Sequence, residues 1–465
     1  MIHFGLKEGS KADCFLCKQL TTQYFTYQQI FAMLLPLILD QFFISIISLL
    51  TSAMVSSSSQ ESVSAVSLVT PLYQMIYAIY SAISSAGTVI IAQYKGHGDE
   101  DKMKKAAGQI VSFTFVTAVV FSVLLIIFAA PLVRAMFADA DELIILKATD
   151  YLIGCALSFI SLSLYLGGFA VFRGVGETKI CLHLSMIINL IHLFASFVFI
   201  NLMNLDIIGT ALSLNLARLI GGLMAMYFLL YKKSPLRIRM KDLFSVNWSI
   251  LKSVIHTSLP FALEQLCFNG GGIIVSMFVV KLGTSNVAAN AVSNSTLYVF
   301  YAMGQAVVNL CVTVVGQCIG ANDKDMAKRY GKKMVWLGEA CILLSLAVLL
   351  PFLNPILRLF QAPENTLGQI HILLAIAFVP MALFWSTSNV LPNVLRAAGD
   401  VNFTSYVSLA TMWVFRVGLS YVVSIKMQVG INGVWICMGL EWVVRSIIFL
   451  IRFHSDRWLN QKTVV

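Results

Sequence analysis

The sequence predicts an all-α membrane protein: twelve transmembrane helices in two six-helix lobes related by a pseudo-twofold axis along the membrane normal. Three observations predict it. Of 465 residues, 58% are hydrophobic and only 12% charged, whereas soluble domains carry about 25% charged residues. The apolar residues fall in long blocks such as "ILLSLAVLLPFLNPIL", and about twenty of them in a row suffice to cross a bilayer as a helix. Finally, the second half of the chain repeats the first.

Hydropathy places the spans near residues 27–54, 63–93, 106–136, 143–170, 179–203, 207–231, 252–281, 287–317, 331–358, 367–394, 402–427 and 431–453. Residues 1–26 then form a cytoplasmic N-terminal segment and 27–231 the N-lobe. Residues 232–251, with "KKSPLRIRMK", are a cytoplasmic linker, 252–454 the C-lobe and 455–465 a cytoplasmic tail. The first 26 residues lack the short apolar core and cleavage site of a signal peptide, so the first span is expected to direct its own insertion.

The net charge of +10 is topological. Of the 32 Lys and Arg, 24 fall in the termini and alternate loops (Lys95 to Lys105, Arg173 to Lys179, Lys232 to Lys252, Lys324 to Lys333, Arg396). The opposite loops hold Arg134, Lys147, Lys281, Arg358 and Lys426. That bias sets both termini in the cytoplasm of a multi-pass cell-membrane protein, and no nucleic-acid partner is expected. Cys14 and Cys17 form a lone C-x-x-C with no second pair or histidine motif, a weak pattern for metal. Neither a metal nor a cofactor is expected, apart from a coupling ion.

In the repeat, "AQYKGHGDEDKMKKAAGQ" (92–109) falls on "GQCIGANDKDMAKRYGKK" (316–333), with Gln93 on Gln317, Gly96 on Gly320 and Asp99 on Asp323. One residue off that register, "FRGVGETK" (172–179) falls on "LRAAGDVN" (395–402). Each half has six spans, an even number, so both enter from the same side as parallel repeats. Two such lobes suit alternating access, with substrate between them near the midplane.

The first helix of each lobe carries an acid. "LLPLILDQ" (34–41) and "SLPFALEQ" (258–265) place Asp40 and Glu264 in apolar surroundings, each four residues after a proline. Asp40 is some fourteen residues into its helix, about 20 Å deep at 1.5 Å per residue. An ionised Asp there costs about 2.5–3.5 kcal/mol on insertion scales, so it is expected to face the bundle interior, where it can carry a proton or hold a cation. Pro36 and Pro260 free the carbonyls of Ala32 and His256 and bend their helices. His192 is a further coupling candidate as a proton relay, and Asn189 is one as a partner of Asp40 in the packing that the family resemblance given below implies. The cavity wall is expected on the second helices: Tyr73, Tyr77 and Tyr80 share one face, as do Asn294, Tyr298, Tyr301 and Gln305. Gln41, Gln265 and Asn269 stand beside the acids. Aromatic faces attract organic cations. Gly270 to Gly272 are expected to let the seventh span pack closely or bend. Glu441, Arg445 and Arg416 read as a structural ion-pair group, and Arg218 and Glu339 as charges that snorkel to span ends.

The paired "LP…(D/E)Q" helices, "GQCIGANDKDMAKRY", "RGVGETK", "LRAAGDVNFTSYVSLATMWVFRVGLSYV" and "GINGVWICMGLEWVVRSIIFLIRF" together resemble the multidrug and toxic compound extrusion (MATE) family, from about residue 27 to 458. The resemblance implies a monomeric twelve-helix antiporter exporting small cationic amphipathic compounds in exchange for H+ or Na+. Many relatives carry an Asn and an Asp where this chain has His192 and Ser196. The tenth span also lacks the acid that sodium-coupled relatives often place there. Sodium wants about six oxygen ligands, and neither lobe shows a second carboxylate, which tilts the expectation toward H+. The alternative is a flippase for lipid-linked saccharides, which needs several Arg or Lys facing a central cavity to hold a pyrophosphate. An enzyme is not expected: there is no H-E-x-x-H, no Gly-rich nucleotide loop and no soluble domain.

Overall fold

The computed structural model describes residues 10–55, 60–137, 141–231, 237–245, 247–359 and 364–461. Parts of the N-terminal segment, the linker and the tail lie outside these residues. A short helix, α1 (Lys11–Leu20), precedes the N-lobe. The N-lobe comprises α2 (Tyr27–Val55), α3 (Gln60–His97), α4 (Glu100–Met136), α5 (Glu142–Val175), α6 (Thr178–Ser196) and α7 (Asp206–Tyr231). After the linker helix α8 (Met240–Phe244), the C-lobe comprises α9 (Trp248–Lys281), α10 (Thr284–Gly320), α11 (Lys324–Leu349, extended by α12, Leu353–Leu359), α13 (Leu367–Ala397), α14 (Val401–Thr411) and α15 (Ile431–His454). α6 and α14 both run on into wider π-helical turns. Twelve of the helical segments are long and apolar enough to cross a membrane. α2 and α9 remain helical through Pro36 and Pro260.

Local chemistry repeats with the sequence. Asp99 caps α4 by accepting from the Lys102 N–H at 2.9 Å, and Asp323 caps α11 by accepting from the Met326 N–H at 3.0 Å. The Lys102 N–H holds the Asp99 carboxyl below the usual carboxylate range. α5 and α13 end alike: Gly176 (φ 90°) and Gly399 (φ 94°) take the left-handed conformation that favours glycine. These turns lead into α6 and α14.

The lobes meet along α2, α3, α9 and α10, and they are tightest at the basic end. There α3 crosses α10 with backbones almost touching. A Cβ on Gly96 would lie 1.9 Å from the Gln317 carbonyl oxygen, and a Cβ on Gly320 1.9 Å from that of Gln93. The same glutamines reach across. Gln93 Nε2 donates to the Ala397 carbonyl at 2.9 Å, and Gln317 Nε2 to the Gly174 carbonyl at 3.1 Å. Each lobe thus clamps the α5–α6 or α13–α14 turn of the other, and Thr313 adds a bond to the Arg173 carbonyl at 2.8 Å. α1 covers the C-lobe side, where Thr22 and Tyr330 share a hydrogen bond at 2.5 Å and Phe15 packs on Trp336. Cys14 and Cys17 on α1 are exposed free thiols. Of the three adjacent glycines, only Gly271 is in close contact, with Met412; Gly270 and Gly272 face open space.

Any side chain at Gly96 or Gly320 must push α3 and α10 apart, because backbone offers no yielding atom. Cys318, buried on α10 two residues before Gly320, reports on this. In a variant retaining Cys318 as its only cysteine, the thiol is expected to resist a membrane-permeant maleimide. Gly96→Ala is expected to speed its labelling by tenfold or more.

Candidate functional site

The repeat brings an acid from the first helix of each lobe near an arginine at the end of the fourth: Glu264 with Arg396, and Asp40 with Arg173. The two pairs are built differently. In the C-lobe the pair is closed. Arg396 Nη2 donates to Glu264 Oε2, Ser405 Oγ donates to the same oxygen at 2.8 Å, and Arg396 Nε donates to Thr404 Oγ1 at 3.1 Å. The guanidinium also lies over the Phe261 ring, 4.8 Å from its centre. In the N-lobe the pair is open. Arg173 Nη1 donates across the interface to Asn309 Oδ1 at 3.2 Å, while Arg173 Nε and Asp40 Oδ1 are both buried without a hydrogen-bond partner.

Four substitutions within the repeat account for the difference. Aspartate is one methylene shorter than glutamate and does not close the distance. Cys181 occupies the place of Thr404 and Leu182 that of Ser405, so a weak sulfur acceptor and an alkyl group replace two hydroxyls. On the opposing face Asn309 corresponds to Ser85. The amide reaches Arg173, whereas the Ser85 hydroxyl donates to Ser81 O of its own helix at 2.9 Å.

Around Asp40 lie Ser185, Tyr77 and Tyr165. Asn189 is one bond removed, donating to Ser185 O at 2.8 Å and Ser185 Oγ at 3.3 Å. His192, whose Nε2 is buried without a partner, sits toward Arg218 rather than Asp40. Ser196 bonds Ser213 at 3.0 Å.

Three cavities adjoin the interface. The first, about 290 Å³, lies in the C-lobe among Glu264, Tyr301, Trp385, Arg396, Arg416 and Arg445. The second, about 500 Å³, takes in Gln74 of the N-lobe with Asn269, Asn294 and Arg416. The third, about 290 Å³, spans both lobes between Gln41, Ser85, Arg173, Gln305, Asn309 and Arg396. Of the ten residues expected on the wall, Gln41, Gln265, Asn269, Asn294, Tyr301 and Gln305 line these cavities. Tyr73, Tyr77, Tyr80 and Tyr298 do not. The α3 tyrosines turn into the N-lobe instead. Tyr80 is fully buried against Phe159, and Tyr73 stacks between Tyr77 and Phe159. Tyr298 is 62% exposed and lies against Tyr301, with ring centres 4.9 Å apart. Helical spacing puts residues on one face but does not say which face meets the other lobe; Gln74, Ser81 and Ser85 of α3 do.

The arginines are the functional candidates the linear reading missed. Arg173 and Arg396 count as loop charges by position, yet they stand on cavity walls, with Arg396 only 6% exposed. Arg218 is also buried rather than snorkelling, bonded to Tyr73 and Ser158. The arginine at the start of "RGVGETK" and "LRAAGDVN" was a usable signal, because it repeats at the same point of both halves. The expected group of Arg416, Glu441 and Arg445 is present, with contacts of 2.6 and 3.1 Å.

The family model MatE matches residues 36–198 and 260–422, one copy in each lobe. Among curated proteins, the chain is 26% identical to the uncharacterized transporter YisQ of Bacillus subtilis, over 88% of this chain and 90% of that protein. It is 24% identical to the probable multidrug resistance protein YoeA of the same organism, over 86% and 87%, and 20% identical to the probable multidrug resistance protein NorM of Thermotoga maritima, over 88% of each. Among solved structures, a MOP superfamily transporter from Pyrococcus furiosus, reported for the reverse polarity of its binding pocket, superposes with a TM-score of 0.86 at 18% identity, covering 94% and 97% of the two chains. An outward-facing MATE transporter superposes with a TM-score of 0.82 at 18% identity, covering 92% and 95%.

Breaking a buried ion pair by removing one partner costs about 3–5 kcal/mol, because the other charge is left unpaired. Glu264→Gln and Arg396→Gln are each expected to lower the thermal unfolding midpoint in detergent, and the double variant to recover part of the loss. Asp40→Asn, whose carboxyl closes no such pair, is expected to stay within about 1 kcal/mol of the parent.

Proposed function

The chain belongs to the MatE family of multidrug and toxic compound efflux transporters, and from that premise we propose that it is a proton-coupled antiporter of the cell membrane that exports amphipathic compounds by alternating access. Its termini are in the cytoplasm and one chain is the working unit, since its own two lobes complete the interlobe cavity. The observation that carries the coupling assignment is the open Asp40–Arg173 pair. Arg173 stands between the acid of its own lobe and Asn309 of the other. A proton arriving on Asp40 removes the charge facing Arg173, and that change is felt at the lobe interface. Glu264 is already occupied by Arg396 and Ser405, so its part is structural. Two neighbours, Asn189 and Tyr77, support the Asp40 site, and His192 stands apart from it. A sodium site would need about six oxygens, and among the described residues no second carboxylate acts on Asp40.

The reciprocal clamp of Gln93 and Gln317 supports alternation. It is made of two hydrogen bonds and bare backbone contact between lobes, and apolar packing of Ile30, Leu34 and Leu37 of α2 on the C-lobe must part with it as a lobe rocks. An organic-cation cargo would be held by aromatic faces and, more strongly, by a free acid on the wall. Asp40 is off the wall, and Glu264 is held by Arg396. The flippase reading gains from the same geometry, because it requires several cationic side chains facing the cavity and four arginines do so.

Proteoliposomes loaded with fluorescent amphiphiles of either charge test the proposal. An imposed pH gradient is expected to drive movement and a sodium gradient not, and Asp40→Asn is expected to slow it at least tenfold. If no amphiphile moves under either gradient, the exporter reading fails.

A further inference from the structure

The cavity walls carry an excess of positive charge. Arg173, Arg396, Arg416 and Arg445 stand on them, against one carboxylate, Glu264. The other acids within reach lie behind the wall: Glu441 under Arg416 and Arg445, and Asp40 beside Arg173. Four guanidinium groups against three carboxylates leave one positive charge without a counter-ion even when every acid is ionised. Buried charges on membrane-spanning helices are expensive and mark substrate or ion pathways.

Hydrogen-bonding capacity is unfilled in the same places. Arg173 Nε is buried with no partner. Arg416 joins the first two cavities, its side chain is 25% exposed, and Nε alone is bonded, to Glu441. Arg445 by contrast uses all three of its nitrogens, donating to Ser388, Glu441 and Asn389. Planar guanidinium forks match carboxylate and phosphate oxygens. Trp385, Trp442, Phe268 and Tyr301 beside them offer flat apolar surface.

Resting on the transport reading above, we infer that the cargo bears an oxyanion headgroup, a carboxylate or phosphate, on an aromatic or aliphatic body, received by the unfilled N–H groups of Arg416 and Arg173. An anion leaving a negative cell interior moves down the membrane potential, in the same electrical sense as a proton entering.

A matched pair of probes tests this: 1-naphthaleneacetate and 1-naphthylmethylammonium share a body and differ in charge. Equilibrium dialysis against the purified full chain is expected to show the acetate binding at least tenfold tighter. Arg416→Gln leaves Glu441 paired with Arg445 and so preserves the fold; it is expected to weaken acetate binding about tenfold and leave the ammonium unchanged. Arg173→Lys keeps the charge without the fork and is expected to fall between. Displacement of the acetate by geranyl pyrophosphate at lower concentration would assign the oxyanion to a lipid pyrophosphate, and its failure to displace would assign it to a small carboxylate. Tighter binding of the ammonium, binding of neither probe, or indifference of the acetate to Arg416→Gln would overturn the inference. Transport of the two probes by proteoliposomes separates the two readings. Tight acetate binding without movement faults the transport reading and leaves the anion site standing. Movement of the ammonium alone does the reverse.

Discussion

The interior of this protein depends on holding guanidinium groups inside a bilayer. Each costs several kcal/mol to bury unless it is paired or hydrogen-bonded, and the fold meets that cost repeatedly at fixed points. The fourth helix of each lobe ends in an arginine, and the acid of the first helix is brought near it. The last helix brings Glu441 under two more arginines. Arg218 has hydroxyls and aromatic faces for company instead, lying 5.3 Å from the Tyr73 ring centre. The arrangement of α2 against α6, and of α9 against α14, follows from where these charges must sit.

Duplication supplies the scaffold, and departures from duplication supply the function. Gln93 and Gln317 make equivalent bonds, and Gly96 and Gly320 equivalent contacts, so the basic end closes symmetrically. Deeper in, symmetry fails at a handful of side chains. With glutamate, Thr404 and Ser405, no buried atom of Arg396 or Glu264 is left unpaired, and such a group rigidifies its lobe. Aspartate, Cys181 and Leu182 leave Arg173 and Asp40 incomplete, with Asn309 of the other lobe as the nearest amide. An unsatisfied buried polar atom is costly, and here it lies where the lobes touch. A change of charge there acts on the interface rather than on the core.

The basic-end clamp and the charged cavities occupy successive depths of one interface. The clamp is thin: small residues, two glutamine side chains and carbonyls at helix ends. The lobe cores are thick and apolar, with Tyr330, Phe300, Trp435 and Phe449 fully buried in the C-lobe and Phe159 and Phe172 in the N-lobe. The interface as a whole is mixed: beside the clamp, Ile30, Leu34 and Leu37 of α2 pack into the C-lobe core and Ala82 and Ala86 of α3 meet Phe261 and Val401, so rocking of the two bodies exposes and reburies apolar surface as well.

Sequence alone determined the membrane class, the twelve spans, the two parallel halves and the pair of acids, because these rest on hydropathy and on repetition along the chain. It also placed Glu441 and Arg445 together, since four residues make about one helical turn. Tertiary structure decided which acid is closed into an ion pair and which is not. Asp40 and Glu264 look equivalent as "LPLILDQ" and "LPFALEQ", and what separates them are neighbours about 130 to 140 residues away, Arg173, Arg396, Thr404 and Ser405. It also turned the tyrosine stripe of α3 into its own lobe and set the arginines of two apparent loops on the cavity wall. The physical reason is the same in each case. Periodicity fixes the face a residue shares with its helical neighbours, whereas which face meets water, lipid or an opposing charge is fixed by helices that arrive from elsewhere in the chain.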